Sequence, residues 1–355
     1  MAEAHKAAPV LVGVLYDYPQ ADGGALFEEA LRIGIDEIAS SGRLDRAVEL
    51  LPKQARGLPA GSEHDMKAAF MELVDAGVLL VVGPTVSDNG LIVSPIADEI
   101  GVPCINYTGG EQTRSRYMFH YQVGSLTEEP AVMANYLARK GHKSTGVAHD
   151  HSAVGRLYEE SFTQSCATWG IEITATAAVS PLADDLSAPL RRIRAGEPDA
   201  LVYLGLGVAA RPLALAVKSE AWNVPVVCNS ALMFGYQQRD WRADWEGWVY
   251  VDTVSDENKA RAGLASVSRR SAAGPIGVAA YDIGRLLGEA LARSAHLTRD
   301  GLRDALERVK QLPAASGLEG TTMGFGNWDH GALKGHYLVL RRWEGGKTVQ
   351  VLEQT

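Results

Sequence analysis

The chain has 355 residues and a formal charge of -9, from 43 acidic against 34 basic residues; hydrophobic residues make up 46% and charged residues 22%. That length exceeds what one hydrophobic core usually serves, so two α/β lobes are expected, with little room for long disordered tracts. Acidic balance without a basic block argues against nucleic acid as a partner, and no apolar run approaches the roughly 18 residues of a membrane helix.

In chain order, residues 1–8 carry Lys6 but no apolar stretch of the kind a secretory signal needs, so export either is not used or its signal has been removed. A first strand is predicted from Val10 to Tyr16, then a loop over residues 17–23. A helix follows from about Gly24, with Leu26, Ala30, Ile33 and Ile38 on one face. Short Val/Ile/Leu runs then alternate with longer amphipathic stretches, the pattern of a parallel sheet with helices on both faces. The predicted fold class is α/β, with two doubly wound parallel-sheet lobes of similar topology.

The second lobe is visible as an internal repeat. Gly13-Val-Leu-Tyr-Asp17-Tyr matches Gly146-Val-Ala-His-Asp150-His, and each leads toward an aromatic-Glu-Glu segment, Phe27-Glu28-Glu29 and Tyr158-Glu159-Glu160. Val81-Val82-Gly83 with Val102-Pro103 likewise matches Tyr203-Leu204-Gly205 with Val224-Pro225 at the same spacing. Residues 10–122 plus 256–322 are assigned to the first lobe and 123–252 plus 325–355 to the second, with hinges near 121–125, 251–257 and 322–328. A terminal hairpin is predicted around Gly345-Gly346.

Ligands of open α/β sheets sit beyond the carboxyl ends of the strands, which nominates the loops at 17–23, 84–90, 107–111, 150–155, 205–210 and 229–234. In the second of these, Ser87, Asp88 and Asn89 could receive an acceptor-bearing solute or simply cap the following helix. Tyr16, Tyr18, Tyr107, Tyr121 and Phe234 supply aromatic faces for a ligand or for the core. Gly205-Leu-Gly207-Val-Ala-Ala210 fits a relaxed dinucleotide fingerprint, but Asn229 stands where a ribose-binding acid is needed, so no cofactor is expected. His149 and His151 are predicted on one strand face without the further ligands a metal requires. Cys104, Cys166 and Cys228 read as buried free thiols. The chain has no Gly-x-Ser-x-Gly, His-Glu-x-x-His or phosphate-loop motif, and Asp184-Asp185 reads as a solvated turn; no enzyme is expected.

Several segments carry a family resemblance along almost the whole chain: Val81-Val-Gly-Pro84 with Ser87, Ser94-Pro-Ile-Ala-Asp-Glu-Ile-Gly-Val-Pro103, residues 141–155, Tyr281-Asp282 with Leu286-Leu-Gly-Glu-Ala290, Leu302-Arg-Asp-Ala-Leu-Glu-Arg-Val309 and residues 324–331. The chain resembles the type I periplasmic binding proteins related to the leucine/isoleucine/valine-binding proteins. The resemblance implies two lobes joined by three crossings, a small-molecule ligand held between them, and delivery to an ABC permease in the membrane. It also implies an extracytoplasmic location if a signal was trimmed. If the chain is native as given, the missing signal motivates a rival expectation, a cytoplasmic ligand sensor of the amide-sensing kind with a regulator partner.

By the resemblance, Ser87 and the segment Tyr107, Thr108 and Gly109 hold a carboxylate. The family's second-lobe aromatics fall at Val154 and near Gly207, and its ammonium-binding Glu falls near Ser230. Those departures imply a larger or less charged ligand, such as an aromatic acid, an amide or another amphiphile, with a branched-chain amino acid as the family's default, unless Asp17, Asp150 or Asp252 pairs with an ammonium. The remaining candidate contacts are Tyr16, Tyr18, Asp88, Asn89, Tyr121, His151, Asn229 and Tyr281.

Overall fold

The computed structural model describes residues 8–18 and 24–351 and divides the chain into two compact units. Strand β1 (Val10–Tyr16) is apolar at nearly every position and almost wholly buried, as a central parallel strand must be. It pairs in parallel with β2 (Val48–Gln54) and β3 (Leu80–Val82); β4 (Cys104–Asn106) and β5 (Met118–His120) follow, giving the order β2-β1-β3-β4-β5. Helices α1 (Ala25–Ser40), α2 (Glu63–Asp75) and α3 (Ser87–Ile100) connect them. The Ser62 side chain caps α2 by accepting from Asp65 N at 3.0 Å. Met66, Phe70 and Val93 from α2 and α3 close over Leu15, Val81 and Cys104 in one core cluster.

The second unit repeats that plan. In it, α4 (Glu128–Arg139) precedes β6 (Ser144–Asp150), α5 (Ala153–Trp169), β7 (Glu172–Val179), α6 (Ser187–Arg194), β8 (Ala200–Leu204), α7 (Ala210–Ser219), β9 (Val226–Cys228) and β10 (Val249–Asp252). Its parallel strands run β7-β6-β8-β9-β10, the same order as the first unit with β6 in the place of β1. Both sequence repeats therefore mark equivalent strands, β1 with β6 and β3 with β8.

The chain then returns to the first unit through α8 (Lys259–Val267), α9 (Pro275–Arg293), α10 (Arg299–Leu306) and the short strands β11 (Leu312–Pro313), β12 (Thr322–Met323) and β13 (Leu333–Lys334). It ends on the predicted hairpin, β14 (Val339–Glu344) and β15 (Lys347–Gln350), antiparallel to β10.

The units meet in sequence at Val123/Gly124, Asp256/Glu257 and Tyr337/Leu338. The third junction differs from the expected 322–328, and residues 325–337 belong to the first unit rather than the second. The reason is local bonding: β12 pairs with β11 and β13, Phe325 N donates to Val309 O, and His120 exchanges bonds with His330 O and Ala332 N. Residues 322–328, expected as a hinge, are stitched into that structure. The three cysteines are buried free thiols. Among the described residues no helix is long and apolar enough to cross a membrane.

Candidate functional site

In the 2-1-3-4-5 order the strand sequence reverses between β1 and β3, and between β6 and β8, so each unit has a switch point where strand-end loops diverge. In the first unit this point is organised by Asp17. Its buried carboxylate accepts from Thr85 N at 2.8 Å, Val86 N at 2.9 Å and Asn89 Nδ2 at 2.8 Å. Helix α3 begins at Ser87 with Val86 as a non-capping N-terminal neighbour, so Asp17 supplies from β1 the acceptor that no local side chain provides. Burial raises the Asp17 carboxyl above its ordinary value, against the pull of those three donors.

Ser87, Asp88 and Asn89 thus form the first turn of α3 rather than its cap. Asn89 is fully engaged, since its Oδ1 accepts from Leu58 N and its Nδ2 also reaches Leu58 O. The Ser87 hydroxyl has no partner among the described residues. Tyr107 is buried and stacked on Phe27 with centroids 4.7 Å apart, and its hydroxyl has no partner among the described residues. Thr85 Oγ1 donates to Tyr107 O, joining the loops after β3 and β4. Thr108 accepts from Gly110 N on its hydroxyl and from His120 Nε2 on its carbonyl, which fixes the turn through Gly109. Burial and the Arg114 charge depress His120 to about 3, leaving it neutral. Tyr16 donates to Gly24 O, and half-buried Tyr18 follows Asp17; residues 19–23 of that loop lie outside the described residues.

The second unit repeats the device with Asp150, which accepts from Tyr203 OH at 2.7 Å and Leu206 N at 2.8 Å. Asn229 bonds Gly205 in both directions, at 3.3 and 2.9 Å. A Cβ on Gly205 would lie 2.4 Å from the Asp150 carboxyl carbon, so only glycine lets the two loops approach. Gly207, at φ +107°, sits where a side chain would strike Ala231 O and the Phe234 ring. Phe234 and Trp241 lie 6.3 Å apart beyond β9, with the Arg211 guanidinium over Trp241. Val154 is half-buried in the first turn of α5, and His151 is exposed past the end of β6, whereas His149 is buried, so the two imidazoles do not share a strand face.

Asp252 is also buried and accepts from Tyr236 OH, Thr253 N and Val254 N. Two predicted tyrosines face other partners. Tyr121 OH bonds the buried Asp282 at 2.7 Å, and Tyr281 OH bonds Glu37 from within α9, beside a cavity of about 950 Å³ that Arg285 and Lys259 also line.

Glu129 escaped the sequence reading. It is completely buried in α4 and accepts from Ser125 N and Ser230 N, both at 2.6 Å, from Tyr158 OH at 3.0 Å and from Ser230 Oγ at 3.1 Å. Its signal was an acid on an apolar helical stripe, in line with Met133 and Leu137. Among the described residues no group of three His, Cys, Asp or Glu is placed to hold a metal ion.

A family model described as periplasmic binding protein matches residues 9–347. The Leu/Ile/Val-binding protein BraC3 of Rhizobium johnstonii is 23% identical over 344 residues, covering 93% of this chain and 90% of that protein. The leucine binding protein LivK of Thermotoga maritima superposes with a TM-score of 0.82 at 17% identity, over 97% of this chain and 98% of that one. A solute binding protein from R. palustris, in complex with 4-hydroxybenzoate, gives 0.78 at 18% identity, over 97% and 96%. At these identities the structural likeness establishes the fold.

Proposed function

Because the chain belongs to the periplasmic binding protein family, as a type I member of the leucine/isoleucine/valine-binding kind, we propose that it captures a carboxylate solute without an α-ammonium group, an aromatic acid in particular, for an ABC permease. The family binds its solutes and does not transform them. One observation carries the ligand class: Asp17, Asp150, Asp252 and Glu129, the buried acids at or behind the strand ends, all direct their oxygens to this chain's own N–H and O–H groups. An ammonium would have to share oxygens already committed to those donors, and each buried N–H it drew away would cost about 1–3 kcal/mol. A carboxylate finds a suited donor in the Ser87 hydroxyl, in the first turn of α3.

Titration calorimetry with 4-hydroxybenzoate and with leucine tests this. Binding of the aromatic acid that weakens about tenfold in Ser87→Ala, the loss of one charge-assisted hydrogen bond, is expected. Tight binding of leucine alone would overturn it.

A further inference from the structure

In the second unit, the two carboxyl oxygens of Glu129 tie the turn after the first junction to the loop beyond β9. Oε1 accepts from Ser125 N, just past the first junction between units, and from the hydroxyls of Tyr158 and Ser230; Oε2 accepts from Ser230 N, directly beyond β9. Tyr158 of α5 is the titratable side chain bonded to it, and among the described residues no Lys, Arg or His lies within ion-pair distance. The fit is close: a Cβ on Gly124 would stand 2.2 Å from Glu129 Oε1 and 2.7 Å from Ser230 Oγ.

We infer that Glu129 is a specificity-determining residue that links capture of an anionic solute to uptake of one proton, through the direction of the Ser230 hydroxyl. The inference rests on the proposal that the strand-end loops receive a carboxylate. When Glu129 is ionised, Ser230 Oγ–H points into the carboxylate, so a solute meets only oxygen lone pairs backed by a buried negative charge. When a proton from solvent occupies Oε1, Glu129 donates to Ser230 Oγ. The serine then turns its own proton outward, and the charge is gone. Both backbone N–H bonds persist, because each carboxyl oxygen keeps a lone pair for one of them, while the Tyr158 hydroxyl gives up its bond to Oε1. Burial holds the Glu129 carboxyl at about 7, outweighing its hydrogen bonds, so both forms are populated at neutral pH.

The test measures 4-hydroxybenzoate binding to the full chain by calorimetry from pH 6 to 8.5, in buffers of different ionisation enthalpy. Affinity is expected to fall by up to about tenfold per pH unit above 7, with proton uptake on binding, and Glu129→Gln is expected to flatten that profile. A flat wild-type profile, or a slope unchanged in Glu129→Gln, would overturn the inference. Independently of any variant or ligand, the amide proton shifts of Ser125 and Ser230 should titrate together near pH 7; a midpoint in the ordinary carboxylate range also overturns it. Should 4-hydroxybenzoate bind at no pH, the ligand class falls, while the amide titration still decides the role of Glu129.

Discussion

A carboxylate removed from water must find donors, and at each switch point the chain provides them from its own backbone. Asp17 and Asp150 occupy equivalent positions at the ends of β1 and β6, and each accepts from an N–H of the loop after the next strand inward. Replacing Asp17 with Asn turns an amide NH2 toward N–H groups that need an acceptor. Urea unfolding of Asp17→Asn is expected to show a loss of about 2 kcal/mol, the scale of one orphaned buried donor; an unchanged midpoint would mean that the loop does not depend on it. Glu129 adds a pH dependence with a definite sign. Its folded value of about 7 lies above the ordinary 4.5, so between those values the folded state holds a proton that the unfolded state has released. Stability therefore falls as pH rises through that window, by an upper bound of about 3 kcal/mol at 1.36 kcal/mol per unit. Wild type should lose stability relative to Glu129→Gln between pH 4.5 and 8, read as the difference between their urea midpoints; a constant difference would exclude the shift.

Among elements, α1 and α9 of the first unit approach closely enough that glycine is required on both. Gly34 and Gly284 let the helices meet backbone to backbone: a Cβ on Gly284 would lie 2.2 Å from Leu31 O, and one on Gly34 2.2 Å from Tyr281 O. Gly284→Ala gains helix propensity but must push the helices apart, so a net loss of about 1–3 kcal/mol is expected in thermal unfolding. Stabilisation instead would show that the pair has slack. The strands of both units were legible because doubly buried strands leave continuous apolar runs, and because the repeats preserved Asp17 with Asp150 and Gly83 with Gly205. The start of α3 was less so: its acceptor comes from Asp17, about seventy residues upstream, and local capping rules see only Ser87, Asp88 and Asn89. Tyr121 and Tyr281 drew attention as aromatics, but their hydroxyl partners, Asp282 and Glu37, are fixed by tertiary packing that no local pattern records. Glu129 was hidden for the converse reason, since an acid in a first helical turn ordinarily signals nothing beyond the helix dipole.

For the whole molecule, each unit is assembled from two separate stretches of chain, so the last residues matter more than their position suggests. β14 extends the second unit's sheet from β10, Trp343 stacks on Tyr250 at 5.9 Å in a nearly parallel plane, and the Arg341 guanidinium donates to Val254 O at 2.9 Å. Both side chains are buried. Truncation after Tyr337 removes all of this at once. Loss of a buried Trp alone costs about 3–5 kcal/mol, and the truncation also takes the Arg341 charge away from buried Asp252 and strips β10 of its β14 ladder. That approaches the entire margin of an ordinary domain, about 5–15 kcal/mol, so the second unit should unfold. The first unit loses no strand, because its own returning stretch closes at Tyr337. Limited proteolysis with mass spectrometry should therefore find segments 24–123 and 257–337 protected while 124–256 is digested. Uniform digestion of the truncated chain would mean that the first unit cannot stand without the second, and that the two fold as a single cooperative body despite their separate cores.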